Sequence, residues 1–417
     1  MRDERTRRDQ SDRGLRPRPP RRRIARALLR GAALAWAVSC LAGGLLIVVP
    51  DPNPALYIVG VAFTEFSLVL TTAAVLGLGF AALTASIGAR VIAGITAAAS
   101  VAALVVSMIP VRDGLQTAAE QGVTLSLARY LPRPPSGAPA HTLTYLRADG
   151  SSLDRRLEVW GVDGSSSVGR GNPAVVLIHG GGWDRGSRGG SSLAGWLADR
   201  GYVVFDIDYQ LATPSRPSWQ RATGEVKCAV GWVKHHAPRF GVDPDRIGLL
   251  GSSAGGHLAL LAAYSTSESR LPARCHRGDA EVRAVAALYP VTDLRALYAT
   301  PTRWSDWSSD IRGLAARFVG GTPSMVPDRY RIASPLTHVG PGAPPTYLAH
   351  GTDDQVVPIS QSLQLAGGLR QAGVPHRVVP LRGANHGFDL FGGGWNTQIT
   401  LSTLDDFFDT WLAPVPR

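Results

Sequence analysis

The sequence predicts an α/β fold, a mostly parallel sheet with helices on both faces, preceded by an N-terminal helical transmembrane region. From residue 141 onward, short apolar runs alternate with helical segments, which is the pattern of a parallel sheet covered on both sides. Before residue 110, three uncharged apolar segments are long enough to cross a bilayer. The 417 residues are 45% hydrophobic, which is enough to bury a large core in the second part.

The first part begins with an arginine-rich tail, residues 1–30, in which twelve arginines and four acidic residues leave a net charge of +8. The whole chain carries +11, so the rest is close to balanced. The tail also contains Pro, Asp and Ser and does not predict the folded basic face of a nucleic-acid-binding protein. We expect a solvated cytoplasmic tail and no nucleic-acid partner.

Three membrane-spanning helices are predicted after the tail. Small residues are frequent in them, as in helices that pack closely in lipid. A basic start followed by one apolar run also fits a signal peptide, but one signal does not explain the further apolar segments. The transmembrane region covers residues 31–109, with spans at 31–49, 66–87 and 91–109.

The positive-inside rule predicts the orientation of these spans. The tail is basic, the first loop has no Lys or Arg, and Arg90 marks the second loop, so the N-terminus is expected inside. Three spans then place the C-terminal part outside, which predicts a multi-pass protein of the cell membrane with an extracytoplasmic domain. If the stretch 55–87, which Glu65 interrupts, does not span, the count is two and that domain returns to the cytoplasm.

Residues 110–140, which contain PRPPSGAP, are predicted to be a linker, and residues 141–417 to be one large domain. Within the linker, LQTAAEQGVTLSLARYL predicts a connecting helix, with an interfacial helix as the alternative. The segments HTLTYLRA and LDRRLEVWG predict an antiparallel hairpin at the edge of its sheet. Buried strands are predicted at 174–178, 203–207, 247–250, 284–289, 346–349 and 377–381.

The segment RIGLLGSSAGGHLALLAAY places Ser253 at the centre of a G-x-S-x-G pattern, between an apolar strand and a helix. This is the context of a nucleophile elbow, in which a sharp strand-to-helix turn exposes the serine hydroxyl. Small residues on both sides let the turn close tightly. Ser253 is therefore the predicted nucleophile, rather than its neighbour Ser252.

A serine hydroxyl needs a base, and the base needs an orienting group. The expected chain order after such a serine is an acid and then a histidine. Asp353 and Asp354 follow one predicted strand and His386 follows the next, so all of them reach the carboxyl edge of the sheet. His386 is the predicted base, and the residues alone do not choose between the two aspartates. The other candidates for the base are His179, His257 and His350.

The segment HGGGW follows an earlier strand and predicts an oxyanion hole. Attack on an ester carbonyl creates an oxyanion that backbone N–H groups must meet, and side chains there would block the backbone. Gly181 and Gly182 are predicted donors, with Ala254 after the nucleophile as a third and Gly180 as the turn former.

Together, the motifs HGGGW, DYQLA, GSSAGGHLAL, YPVTDL, ASPLTHV, HGTDDQVVP and GANHGF resemble an α/β-hydrolase esterase. The order and spacing are similar to the carboxylesterase branch with hormone-sensitive-lipase-like and feruloyl-esterase-like enzymes, over residues 141–412. A three-span anchor ahead of such a domain also resembles membrane-bound carboxylesterases of actinobacteria.

This resemblance implies Asp354 as the triad acid, because relatives carry it four residues after the histidine of an H-G-x-x-D-x-x-V-P loop. Two departures are visible. Gln210 stands where relatives often carry arginine, and the acid loop lacks D-P-L-x-D, which favours the feruloyl-esterase-like or kynurenine-formamidase-like side.

The sequence predicts no cofactor and no metal, because zinc spacings, phosphate loops and nucleotide fingerprints are absent from it. Cys228 and Cys275 are candidates for a disulfide if the domain lies outside the cell, whereas Cys40 falls in the first span.

The expected function is a membrane-anchored serine carboxylesterase or lipase-like hydrolase acting on a small-molecule or lipid ester. The alternatives are a peptidase or formamidase with the same triad, and an inactive hydrolase-fold binding protein. Trp304 and Trp307 are candidates for a cap over the site, with surface packing as the alternative.

Overall fold

The computed structural model describes residues 20–49, 53–132, 137–148, 153–161, 171–275, 279–301 and 310–413. Most of the arginine-rich tail and the two candidate cap tryptophans, Trp304 and Trp307, lie outside the described residues. The chain divides into two compact units, one from Met1–Pro50 and Ser67–Ile109 and the other from Asp51–Phe66 and Pro110–Arg417.

The second unit is built on an eight-stranded sheet with the order β1-β2-β4-β3-β5-β6-β7-β8. The first two strands form the predicted antiparallel hairpin, β2 also pairs antiparallel with β4, and all other pairs are parallel. The strands are β1 His141–Leu146, β2 Arg155–Trp160, β3 Asn172–Ile178, β4 Val203–Ile207, β5 Val242–Ser252, β6 Ala284–Leu288, β7 Thr346–Gly351 and β8 His376–Leu381. All six predicted buried strands are present in it.

Twelve α-helices are assigned in the described part of the chain. They are α1 Pro20–Val48, α2 Pro54–Glu65, α3 Ser67–Ser86, α4 Arg90–Gln121, α5 Leu193–Ala198, α6 Trp219–His236, α7 Ala254–Tyr264, α8 Leu294–Ala299, α9 Ile311–Val319, α10 Pro327–Ile332, α11 Ser360–Gln371 and α12 Trp395–Trp411.

The core of the second unit lies on both faces of the sheet, as expected for a parallel sheet with helices on each side. Strands β4 and β6 are buried along their whole length, with apolar residues pointing to each face. One apolar cluster includes Val176 and Leu258, and another includes Leu177 and Phe408. Burial on both faces explains why these strands appear in the sequence as continuous apolar runs.

A disulfide joins Cys228 on α6 to Cys275, which follows α7. The Cα atoms of the two residues are 5.8 Å apart. The bridge that the sequence left open is therefore formed in the structure, and it ties α6 to the segment after the nucleophile helix.

The first unit consists of long apolar helices joined through small and polar side chains. Nε1 of Trp36 on α1 donates to the carbonyl oxygen of Ala73 on α3 at 2.9 Å. Thr71 and Ser107 share a hydrogen bond of 2.8 Å between α3 and α4. A β-carbon at Gly77 would lie 2.2 Å from the Ser100 hydroxyl, so close packing of α3 and α4 requires glycine there.

Within the described residues, three helices, Arg22–Val48, Ser67–Ser86 and Arg90–Gln121, are long and apolar enough to cross a membrane. The third is longer than the predicted span of 91–109, because the helix continues past Pro110 into residues that the sequence assigned to a linker. The stretch 55–87 is divided by a break at Phe66 into α2 and α3, and Glu65 ends α2.

Candidate active site

Ser253 lies at the sharp turn between strand β5, which ends at Ser252, and helix α7, which begins at Ala254. Its backbone has φ +55° and ψ −121°, a conformation that non-glycine residues rarely adopt. Such strain persists only where the surrounding structure enforces it, and it concentrates at functional sites. The turn separates the Ser253 side chain from the strand, and Ser253 lines a cavity of the second unit. The elbow pattern predicts such an exposed hydroxyl.

His386 connects Ser253 to Asp354. Its Nε2 atom lies 2.9 Å from the Ser253 hydroxyl and its Nδ1 atom lies 2.7 Å from Oδ2 of Asp354. A carboxylate only accepts hydrogen bonds, so Nδ1 carries a hydrogen and Nε2 is free to accept from the hydroxyl. The three predicted side chains, which come from three different loops, are therefore joined in one hydrogen-bonded chain.

The side chain of Asp354 is fully buried and held on both oxygens. Oδ1 accepts from the backbone N–H groups of Val356 and Val357 at 2.8 Å each, while Oδ2 faces His386 and also lies 3.3 Å from Nε2 of His350. Burial acts to raise the pKa of Asp354, but the interactions with His386 and His350 outweigh it and hold that pKa well below its usual value. The group therefore stays ionised beside the histidine.

The loop after β3 has the glycine geometry that the HGGGW motif predicts. Gly181 and Gly182 have φ values of +116° and +62°. A β-carbon would lie 2.3 Å from the carbonyl oxygen of Arg185 at the first position and 2.8 Å from Leu314 at the second. Both positions therefore require glycine, for backbone conformation and for space. Both glycines line the same cavity as Ser253.

Ala254 is the first residue of α7, so its N–H has no acceptor within its own helix. The helix N-terminus also favours negative charge. The backbone N–H of Ala254 therefore lies next to Ser253, at the position where the sequence predicts an oxyanion donor.

These groups open into a cavity of about 590 Å³ within the second unit. Ser253 and His386 line this cavity, and most of its lining surface is apolar. The apolar lining includes Tyr57, Ile58, Ile178, Leu314, Val356 and Leu390. A cavity of this size and character fits a small organic ligand.

Asn385, next to the base, is a site residue that sequence reasoning missed. Its Oδ1 atom accepts from the backbone N–H of Gln355 at 2.9 Å, from that of His386 at 2.9 Å and from the Tyr57 hydroxyl at 2.8 Å. It ties the acid loop to the histidine loop. The motif GANHGF contained the only available signal, an asparagine directly before the histidine.

Tyr289 and Asp389 form a second feature that sequence reasoning missed. The Tyr289 ring lies 4.4 Å from the His386 ring, centroid to centroid, and its hydroxyl donates to the Asp389 carboxyl. The Ser252 hydroxyl donates to the same carboxyl at 3.3 Å. Burial raises the pKa of Asp389. Through the Tyr289 ring, this cluster is in contact with His386.

The other histidines have structural partners. Nε2 of His257 donates to the carbonyl oxygen of Ala333 at 2.7 Å, and its Nδ1 accepts from Trp183 at 3.1 Å. Burial lowers the pKa of His257 to about 4, so it stays neutral. The His179 ring stacks on Tyr209.

The position of Gln210 explains one departure from the expected pattern. Its side-chain oxygen accepts from the guanidinium of Arg155, a residue of strand β2, and its backbone N–H donates to Glu225 at 2.6 Å. Arg155 also bonds Glu225 at 3.0 Å. The guanidinium of Arg155, from strand β2, is therefore the cationic group beside Gln210 and Glu225.

Comparison with known proteins identifies esterases as relatives of this chain. The BD-FAE family matches residues 165–369. The chain is 34% identical over 233 residues to esterase LipC of Mycobacterium tuberculosis, covering 53% of this chain and 54% of that protein. It is also 34% identical over 225 residues to the probable carboxylic ester hydrolase LipM of the same organism, covering 53% and 50%. The chain spans about half the length of the curated relatives it matches.

Solved structures of esterase 2 from Thermogutta terrifontis are also similar. The form with bound propionate is 30% identical, with a TM-score of 0.55, covering 68% of this chain and 99% of that one. The form phosphonylated by sarin is 28% identical, with a TM-score of 0.56, covering 70% and 100%.

Proposed function

Because the chain belongs to the α/β-hydrolase carboxylesterases, we propose that it is a membrane-anchored serine esterase that hydrolyses carboxylic esters through Ser253, His386 and Asp354. The observation that carries the proposal is the hydrogen-bonded chain from the Ser253 hydroxyl through His386 to Asp354, with distances of 2.9 and 2.7 Å. It opens into a largely apolar cavity, which suits an ester with an organic acyl or alcohol group.

In the first half-reaction, the Ser253 oxygen attacks the ester carbonyl carbon while its proton passes to Nε2 of His386. Asp354 keeps Nδ1 protonated and stabilises the imidazolium. The tetrahedral intermediate then expels the alcohol, which takes the proton from Nε2. Ser253 is left carrying the acyl group.

In the second half-reaction, water gives its proton to Nε2 and attacks the acyl carbon, and collapse of the second intermediate returns the proton to Ser253. In both halves, the backbone N–H groups of Gly181, Gly182 and Ala254 are the proposed oxyanion donors. Losing one such donor typically costs on the order of 10²–10³ in rate.

Membrane anchoring is the second part of the proposal. Helices α1, α3 and α4 expose large apolar side chains such as Val38, Leu76, Val91 and Val105. Such faces suit lipid rather than water. The basic tail places the N-terminus inside by the positive-inside rule.

The position of α2 supports three spans rather than two. Helix α2 lies between the first and second apolar helices, yet it belongs to the same compact unit as the residues after Pro110. Two segments of one unit lie on the same side of a membrane, so an even number of crossings separates them. Crossing by both α3 and α4 meets this condition. The second unit, Asp51–Phe66 and Pro110–Arg417, which we call the catalytic unit, then lies outside the cell.

A topology test follows directly. Alkaline phosphatase fused after Arg417 is expected to be active and green fluorescent protein at the same place to be dark, because only an exported C-terminus gives that pair. The reverse pair would place the catalytic unit in the cytoplasm.

The enzymatic proposal is tested with the variant Ser253→Ala. Wild-type protein is expected to hydrolyse p-nitrophenyl esters and to react with a fluorophosphonate probe, as the esterase phosphonylated by sarin reacted with a related compound. Ser253→Ala is expected to do neither, while Ser252→Ala keeps the labelling. Turnover by Ser253→Ala at the wild-type rate would refute the assignment. Parallel anilide and formamide substrates separate an esterase from a peptidase or formamidase.

A further inference from the structure

Helix α2 is the part of the catalytic unit that comes from the N-terminal region. It lies outside the segment matched by the BD-FAE family, residues 165–369. It is joined through Phe66 to α3, which is long and apolar enough to cross a membrane. Despite this sequence position, α2 is packed against residues that are more than 300 positions away in the chain.

The C-terminal end of α2 is fixed by Glu65, whose side chain is buried. Its Oε1 accepts from Nδ2 of Asn396 at 2.7 Å and its Oε2 from the backbone N–H of Asn396 at 3.1 Å. The next residue, Phe66, packs its ring edge-on against Tyr130 and Phe391. These contacts hold the helix to the start of α12.

The N-terminal half of α2 reaches the loop that carries the base. Tyr57 is only 5% exposed, and its hydroxyl lies 2.8 Å from Oδ1 of Asn385 and 2.9 Å from the carbonyl oxygen of His386. The same Asn385 oxygen accepts from Gln355 in the acid loop. Tyr57 therefore binds the junction of the two loops that set the distance between His386 and Asp354.

Tyr57 and its neighbour Ile58 also line the cavity above Ser253. Ile58 is 42% exposed, so its side chain is not packed in the interior of the unit. Leu390, 58% exposed, lines the same cavity. The two side chains add apolar surface where the non-reacting part of a substrate would lie.

We propose that α2 is a working part of the ester site, in which Tyr57 positions the His386 loop and Ile58 selects esters with a long apolar acyl chain. This rests on the proposed esterase function. The apolar lining defines the substrate class as hydrophobic carboxylic esters. Through α2, the segment between the first two apolar helices contributes directly to the site.

The positioning role is tested in the full chain, in detergent, with Tyr57→Phe. The variant keeps the ring but removes the donor from Asn385 and from the His386 carbonyl. We expect kcat for p-nitrophenyl acetate, per serine titrated with a fluorophosphonate, to fall about tenfold with KM unchanged, because small misplacement of a base slows reaction strongly. Titration removes any effect of unfolded protein.

The matched control is Tyr264→Phe, which removes another buried hydroxyl, one bonded to Thr346 at 2.6 Å outside the cavity lining. It is expected to keep the wild-type kcat per titrated serine. An unchanged kcat in Tyr57→Phe, or an equal fall in both variants, would overturn the positioning role.

The selectivity role is tested with Ile58→Trp and with Val59→Trp as its control. Val59 is also 42% exposed on α2 but does not line the cavity. We expect Ile58→Trp to lower kcat/KM for p-nitrophenyl octanoate at least tenfold relative to the acetate, and Val59→Trp to leave that ratio unchanged. The same ratio in all three proteins would reject the selectivity role. Wild-type protein without ester turnover or labelling would instead reject the esterase function.

Discussion

Two buried carboxyl groups of the catalytic unit, Asp354 in the acid loop and Glu65 at the end of α2, have opposite electrostatic environments. Both side chains are almost or completely inaccessible to solvent. Asp354 faces two histidines, and its pKa lies well below the usual value. Glu65 faces an asparagine, and burial raises its pKa to about 8.

The difference shows that burial alone does not decide whether a carboxyl is charged. Burial penalises the ionised form at both positions, but at Asp354 the interactions with His386 and His350 outweigh that penalty. A neutral amide donor stabilises a carboxylate too weakly to offset that penalty. A carboxyl group is therefore an ionised partner of two histidines in one region and an uncharged structural anchor in the other.

The largest expected effect comes from removing the negative charge of Asp354 beside His386. Asp354→Asn is expected to lower kcat on p-nitrophenyl acetate about 10⁴-fold, because the amide no longer holds the protonated Nδ1 tautomer of His386. Steady-state kinetics at saturating substrate measure the change.

The control for that variant is Asp353→Asn in the same loop. Asp353 is exposed, and its carboxyl accepts from the Thr352 hydroxyl at 2.9 Å. Its replacement is expected to leave kcat within about twofold of wild type, as for surface changes away from a site. If Asp353→Asn were the slower enzyme, the acid would be the other aspartate.

Asp353 and Asp354 also show a limit of what the sequence predicts. The residues alone left Asp353 and Asp354 equivalent, because adjacent loop carboxylates have the same chemistry and nothing in the sequence shows which one turns inward. The strands and the elbow were predictable because their signals are local: an apolar run, a glycine pattern, and a loop that follows a strand. The roles of Ser253, His386 and Asp354 stay predictions, although the structure brings the three side chains together.

The contribution of α2 was not predictable in the same way. Tyr57 and His386 are separated by 329 positions, and no local pattern links an apolar inter-span segment to a distant loop. One signal is present in the sequence, Glu65 inside an apolar stretch, but by itself it predicts only an interrupted span. In the structure that carboxyl ends α2 and anchors it through Asn396.

A second, smaller effect is expected at Glu65 and concerns stability. The unfolded carboxyl loses its proton near pH 4.5, whereas the folded one keeps it until about pH 8. The folded state therefore holds the extra proton in this window, and the free energy of unfolding falls as pH rises through it. Glu65→Gln mimics the neutral form and removes this slope.

Thermal unfolding of both proteins at pH 5 and pH 9 measures that slope. Tm is expected to be similar at pH 5 and higher for Glu65→Gln at pH 9. Glu120→Gln is the control, because the Glu120 carboxyl lies on the surface beside Arg382. Equal Tm changes in wild type and Glu65→Gln between the two pH values would show that Glu65 is ionised in the folded protein throughout.

The smallest effect is expected at Asp389, which is intermediate between the two groups. It accepts from Tyr289 and Ser252 and has no lysine or arginine partner among the described residues, so burial raises its pKa, as for Glu65. It also lines the cavity, where solvent reduces the penalty for charge. Because the pKa of Asp389 is raised in the folded state, the free energy of unfolding falls as pH rises above the usual carboxyl range.

Asp389→Asn is expected to flatten the dependence of Tm on pH less than Glu65→Gln does, with kcat lowered less than tenfold. A larger flattening would show that folded Asp389 retains its proton more strongly than Glu65 does. A loss of kcat near that of Asp354→Asn would show that Asp389, and not Asp354 alone, supports His386.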